Sequence, residues 1–274
     1  MEIKEAQIFQ VNAFTADDCR GNPAGVCLLP SAEDEAFYRR VAAIMGFSET
    51  AFVYREGNGY RLRWFTPNGT EVELCGHATL AAASILFRRE YCDISAPIRF
   101  QTKSGVLTAT ANGENIEMDF PAEQVLRLDS DVHLLEEALG IHSTYTGMTR
   151  FDAFVEVATE AEVKNLAPDF ERLKAMPGRG VIVTARSEHK GYDFVSRFFC
   201  PKLGMDEDPV TGSAHCALGV YWGDILGKDS LVGYQVSPEG GIVRVKVRGE
   251  RVIISWKTRE YPLSARSRAA VEKN

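Results

Sequence analysis

Two short turns hold the side chains best suited to chemistry. Cys75-Gly76-His77 offers a thiol and an imidazole around a glycine, and Asp208-Pro209-Val210-Thr211-Gly212-Ser213 offers a carboxylate and two hydroxyls around another. Each is followed by a run of mostly small, apolar residues, Ala78–Leu86 and Ala214–Ile225, which predicts a helix whose first turn is at Gly76 or Gly212. A helix start leaves backbone N–H groups unpaired and carries partial positive charge, which suits a carboxylate or phosphate. In that role His77 and Asp208 are the polar groups of the site, and Gly76, Gly212 and Ser213 supply donors to an anionic substrate. Capping accounts for the same residues without chemistry: Thr211 and Ser213 are ordinary first-turn residues, and Asp208 closes a turn before Pro209.

Glu49 is the third candidate. It lies in the β-favouring run Gly46–Tyr54, and in a strand it shares a face with Phe47, Ala51 and Val53. A carboxylate on an apolar face has its pKa raised toward the range useful for proton transfer. Spacing alone favours the plainer readings, an exposed edge glutamate or a cap partner near a frayed helix end. Cys75, His77, His215 and Cys216 are zinc-ligand types, but C-x-H and an adjacent H-C pair are not ligand spacings, and no metal is expected. His133, His142 and His189 have no partner pattern and are expected at the surface. No G-x-S-x-G elbow, G-x-G-x-x-G fingerprint or Walker loop occurs.

The elements that position these residues come as a repeat. Arg63-Trp64-Phe65-Thr66-Pro67 recurs as Arg197-Phe198-Phe199-Cys200-Pro201, 134 residues on, and Cys75–Ala81 recurs as Thr211–Ala217, 136 residues on. Both offsets are close to half of the 274 residues, so the chain reads as a duplicated unit. Each copy is a strand, a glycine turn and an apolar helix surrounded by sheet, and two such helix starts can be aimed at one cleft. Elsewhere, helices are predicted over Ala32–Met45 with Ser31 as cap, Asp131–Leu139 and Phe170–Met176. Hairpin-rich β-structure is predicted over 58–67, 97–120, 178–200 and 231–256.

Composition narrows the class. Apolar residues make up 45% and charged residues 25%, which excludes a disordered chain. Net charge is −7, with no basic block longer than Arg39-Arg40 and Arg88-Arg89, so no nucleic-acid partner is expected. Six cysteines without a C-x-x-C pair point to reduced thiols. The acidic N-terminus lacks signal-peptide character and the longest apolar run is half a membrane span, so a cytoplasmic protein with no membrane partner is expected.

Taken together, Gly21–Val26, Ser48-Glu49-Thr50, Cys75–Thr79, Gly180–Ala185 and Asp208–Ala214 resemble the PhzF-like phenazine biosynthesis protein family. The resemblance implies a diaminopimelate epimerase-like α+β fold: two similar domains, placed at residues 1–121 and 122–274 with the last residues able to pack back on the first, and an active site between them. It implies Glu49 as the acid/base, His77 and Asp208 as active-site residues, Gly76, Gly212 and Ser213 as holders of the substrate carboxylate, and a homodimer. The implied chemistry is isomerisation of a small cyclic or amino carboxylate without metal or organic cofactor. Related racemases of the fold use two opposed thiols. Here Cys75 stands at the first of those positions and Thr211, a far weaker acid, at the second. An amino-acid racemase or epimerase, or a non-catalytic binding protein, are the alternatives.

Overall fold

The computed structural model describes residues 2–128 and 132–270, which form two compact units. The first gathers the residues up to Thr15, Asn22–Asp119 and the segment from Ser255 on; the second gathers Ala16–Gly21 and Phe120–Ile254.

The first unit runs β1 (Gln7–Ala13), β2 (Asn22–Leu29), α1 (Glu35–Met45), β3 (Thr50–Glu56), β4 (Gly59–Phe65), β5 (Glu71–Val72), α2 (Gly76–Arg88), β6 (Ile98–Thr102), β7 (Gly105–Asn112) and β8 (Asn115–Pro121). The second runs β9 (Leu126–Arg127), α3 (Val132–Leu139), β10 (Tyr145–Met148), β11 (Ala153–Glu156), α4 (Glu160–Lys164), α5 (Phe170–Leu173), β12 (Val181–Arg186), β13 (Phe194–Cys200), β14 (Met205–Glu207), α6 (Gly212–Leu226), β15 (Ser230–Gln235), β16 (Gly241–Arg248) and β17 (Arg251–Trp256). The chain then returns to the first unit with β18 (Thr258–Tyr261) and α7 (Ala265–Ala269).

The duplication is visible in the ladders. In the first unit β2 pairs parallel with β3, β3 antiparallel with β4, and β4 parallel with β6. In the second unit β11 pairs parallel with β12, β12 antiparallel with β13, and β13 parallel with β15. The register matches residue for residue, since Thr50 pairs with Phe65 as Val181 pairs with Phe199. Even the ion pairs repeat. Arg63 forks onto Glu71 at 2.7 and 2.8 Å, and Arg197 forks onto Glu207 at 2.7 Å through both nitrogens. Each guanidinium also lies over the phenylalanine two residues on, Phe65 or Phe199.

Helices α2 and α6 are the axes of their units. Every residue from His77 to Phe87 is buried, because α2 packs against β1, β2, β3, β7 and β18 on different sides. Burying Leu80, Ile85 and Leu86 contributes about 2 kcal/mol each. Helix α6 is packed by β15 and β16 and by Phe154, Ile182 and Phe194. The expected α+β fold of two similar units, each a sheet around a central helix, is what the chain adopts.

Local boundaries differ from expectation where a better cap competes. Helix α1 starts at Glu35, not Ala32, because the Asp34 carboxylate accepts from Phe37 N at 2.8 Å and leaves Ser31 outside. Helix α5 stops at Leu173, short of Met176, before Gly178 turns the chain at φ 81°. Helix α3 occupies Val132–Leu139, while Asp131 lies outside the described residues. Among the described residues no helix is long and apolar enough to cross a membrane.

Candidate active site

Glu49 sits one residue before β3, at the end of a turn opened by Gly46, which ends α1 with φ 69°. Its side chain is 18% exposed, and the Oε2 atom is buried without a hydrogen-bond donor. His77, on the first turn of α2, brings Nε2 to 3.4 Å from that oxygen, too far for a well-made bond but close enough for electrostatic contact. The same nitrogen lies 3.4 Å from Ser48 Oγ. The other ring nitrogen, Nδ1, lies 3.5 Å from Cys75 Sγ. Burial pushes the Glu49 carboxyl above its ordinary pKa, while the neighbouring Ser48 hydroxyl and Cys75 thiol pull in the opposite direction. The expectation of a buried carboxylate with a raised pKa therefore holds and the exposed-edge alternative does not, but Glu49 lies one residue outside β3, among Ser48, Cys75 and His77 and not on an apolar strand face.

Cys75 precedes α2 in an extended conformation (φ −145°, ψ 105°) and makes no side-chain cap. Thr79 donates back to the Cys75 carbonyl at 2.6 Å instead. Glu49, Cys75 and His77 bring one donor atom each within 4.8 Å of one another. The imidazole turns Nε2 toward the carboxylate and Nδ1 toward the thiol.

In the second unit Asp208 is buried and accepts from Thr211 Oγ1 at 2.6 Å. Gln235, at the end of β15, fastens this turn: its Nε2 donates to Asp208 O at 2.6 Å and its Oε1 accepts from Thr211 N at 2.9 Å. Thr211 spends its hydroxyl on Asp208 and so leaves α6 without a side-chain cap. His215 Nδ1 faces the Thr211 carbonyl at 2.8 Å, and Cys216 Sγ faces Gly212 O at 3.8 Å. Both are buried and turned to their own helix. Burial lowers the His215 pKa to about 4, so the ring is neutral and its Nδ1 donates the proton.

Ser213, on the first turn of α6, accepts from Arg179 Nη2 at 2.6 Å. Arg179 is itself forked onto buried Asp152 through Nε and Nη2 at 2.8 and 2.9 Å. Sequence reasoning missed Arg179, Asp152 and Gln235. No local pattern singles out Arg179; its place emerges from the ladders, which, with Phe65 aligned to Phe199, make Thr50 the equivalent of Val181, hence Glu49 of Gly180 and Ser48 of Arg179. Ser48 reaches His77 and Arg179 reaches Ser213, which are likewise equivalent. Gly180 has no room for a side chain, since a Cβ there would meet Phe198 Cζ at 2.5 Å and Phe199 O at 2.8 Å. His133, His142 and His189 are exposed, as expected.

The chain thus has a duplicated sheet-around-helix fold with a mostly buried carboxyl, Glu49, beside the first helix start. It matches the phenazine biosynthesis-like protein family over residues 11–255, and it belongs to that family. It is 48% identical to an uncharacterized isomerase of Halalkalibacterium halodurans, with 90% of this chain and 93% of that protein aligned. Among solved structures, a PhzF-family phenazine biosynthesis protein of Enterococcus faecalis superposes with a TM-score of 0.87 and 41% identity, covering 93% of this chain and 96% of that one. A hydroxyproline epimerase of Agrobacterium vitis shares the fold at a TM-score of 0.58 and 11% identity, with both chains fully covered. These likenesses support an isomerase or epimerase kind of enzyme.

Proposed function

We propose that the protein is a proton-transfer isomerase of a small cyclic or amino carboxylate, with Glu49 as the single general acid/base. The observation that carries this reading is the Glu49 carboxyl: mostly buried, raised in pKa, with Oε2 unsatisfied and His77 beside it. As a carboxylate it takes a proton from a substrate carbon. The resulting carboxylic acid returns that proton to a second carbon on the same face, so the double bond moves and Glu49 is regenerated. His77, held at the carboxylate edge, orients a substrate amino or hydroxyl group, and Asp208 does the same from its own turn. Gly76, Gly212 and Ser213 hold the substrate carboxylate through helix-start N–H groups and the Ser213 hydroxyl. A net charge of −7 makes such local donors necessary, because the overall field repels an anion.

The test is a screen of small cyclic and amino carboxylates in heavy water, scored for deuterium incorporation by wild type and by Glu49→Gln. The reading expects incorporation that disappears in Glu49→Gln, and undiminished incorporation in that variant overturns it. One observation favours a second reading, racemisation or epimerisation: the Cys75 thiol lies in the same group as Glu49 and His77. Exchange at the α-carbon of an amino acid, abolished by Cys75→Ser, would establish that chemistry instead.

A further inference from the structure

The two half-buried arginine forks of the second unit are built alike and finished differently. Arg197 spends all three guanidinium nitrogens on the protein: Nε and Nη2 go to Glu207, and Nη1 goes to Leu166 O at 2.9 Å. Its side chain is 12% exposed. Arg179 spends only two. Nε and Nη2 take Asp152, the second hydrogen of Nη2 goes to Ser213 Oγ, and Nη1 has no partner among the described residues. The side chain is 31% exposed, while Asp152 beneath it is 3% exposed.

From this asymmetry we infer that Arg179 is the residue that recognises the anionic group of the ligand, through its unspent Nη1 edge and through Ser213. Arginine only donates hydrogen bonds, so Ser213 Oγ must be the acceptor in their contact. The serine's own proton is then left to be donated elsewhere, with its direction limited by the arginine behind it. Nη1 and Ser213 O–H together present donors without an acceptor, which matches a carboxylate and mismatches a carboxamide nitrogen. Asp152 holds the plane in place, and the rings of Phe151 and Phe198 lie at 5.2 and 5.9 Å from the guanidinium carbon. Asp208 acts electrostatically on the same guanidinium. A buried carboxylate at the helix start would by itself repel an anionic ligand, and Arg179 offsets it. In the first unit the equivalent position is Ser48, which carries no charge, so the anion preference belongs to the second unit's half of the duplication.

This inference rests on the reading that the ligand carries a carboxylate, and it does not require Glu49 to act on it. Calorimetric titrations with anthranilate, cyclohexanecarboxylate and L-proline, each against its primary amide, separate the two. At least one acid is expected to bind wild type tenfold or more tightly than its amide. The charge-neutral pair Asp152→Asn with Arg179→Met, which avoids stranding a buried carboxylate, should lose that preference while binding the amide unchanged. Arg179→Lys, which keeps the charge without the fork, should retain only part of it, and serves alone if the double variant does not fold. No acid preference in wild type, or a preference that survives loss of the guanidinium, overturns the inference. Glu49→Gln should bind the acid like wild type while losing deuterium exchange. If instead it exchanges normally while the arginine variants lose the preference, the acid/base assignment fails and the role of Arg179 stands.

Discussion

At the start of α2 the residue before the adjoining strand is Glu49, and its neighbour Ser48 faces His77; at the start of α6 the same two places hold Gly180 and Arg179, and Arg179 faces Ser213. Cys75 and Thr211 precede the two helices in extended conformations, and neither caps its helix. Thr79 and His215 each turn back to the carbonyl of that preceding residue. Backbone, caps and Arg–Glu forks have stayed alike, while the side chains at the helix starts have diverged: Ser48, Glu49 and His77 stand in one unit where Arg179, Gly180 and Ser213 stand in the other. The two carboxylates do not even come from matching places. Glu71 and Glu207 are equivalent, so Asp208 answers to Val72 and Glu49 answers to a glycine. A two-fold repeat therefore does not imply a two-base reaction.

The largest effect that would break this comparison lies at Glu49. Glu49→Gln should lower deuterium incorporation by a factor on the order of 10³, the scale of a lost general acid/base. Cys75→Ser should lower it by less than about tenfold, a contact near the base being kept. A loss in Cys75→Ser as large as that in Glu49→Gln would restore the thiol to the centre of the chemistry.

The forks test whether equivalent structure means equivalent energy. Arg197→Met should destabilise the protein by about 2 to 3 kcal/mol in urea unfolding, because Glu207 is left half-buried without a cation. Arg63→Met should cost about 1 kcal/mol, since Glu71 keeps Lys103 at 2.6 Å. Equal losses would mean that the second cation contributes nothing.

Gly180→Ala asks whether the second unit can accept a side chain where the first holds Glu49. Contacts of 2.5 and 2.8 Å to Phe198 and Phe199 put the expected cost at about 2 kcal/mol, read from the thermal midpoint.

The smallest effects concern pH. Glu49 has a raised pKa in the folded state, so the folded protein binds more protons than the unfolded chain above about pH 4.5. Its contribution is then stabilising at low pH and is lost as pH rises through the folded pKa. Glu49→Gln should consequently be more stable than wild type by about 1 kcal/mol at the alkaline end of that window, and no more stable below it. The acid limb of the exchange rate should move to higher pH in Cys75→Ala, because the thiol is one of the two contacts that lower the Glu49 pKa. An unmoved limb would show that Ser48 alone opposes burial.

Much of this was legible in the residues. Arg63 and Arg197, with the two glycine turns, disclose the duplication because their partners lie a few residues away and repeat with them. The same holds for Gly76 and Gly212, where small residues mark a helix closed in on every side. Arg179 and Asp152 were not legible, because they meet across a β-bridge from Asp152 to Gly178 and neither belongs to a local pattern. Gln235 fastens the Asp208 turn from 27 residues away, on another strand. The burial of Glu49 was ambiguous for a related reason: β3 is buried at Thr50, Ala51, Phe52 and Val53 alike, so alternation carries no information about which face is wet.

The return of the chain to the first unit has a bearing on synthesis. Strand β1 pairs with β18 from Gln10–Tyr261 to Ala13–Thr258, and Ser84 and Arg88 of α2 both bond Thr258. The unit that begins first thus lacks an edge of its sheet until residues 258–261 have left the ribosome, while most of the second unit is continuous and has emerged by then. Domains usually mature in the order they are made. Here the unit that begins first is also the one completed last, because β18 follows the final strand of the second unit.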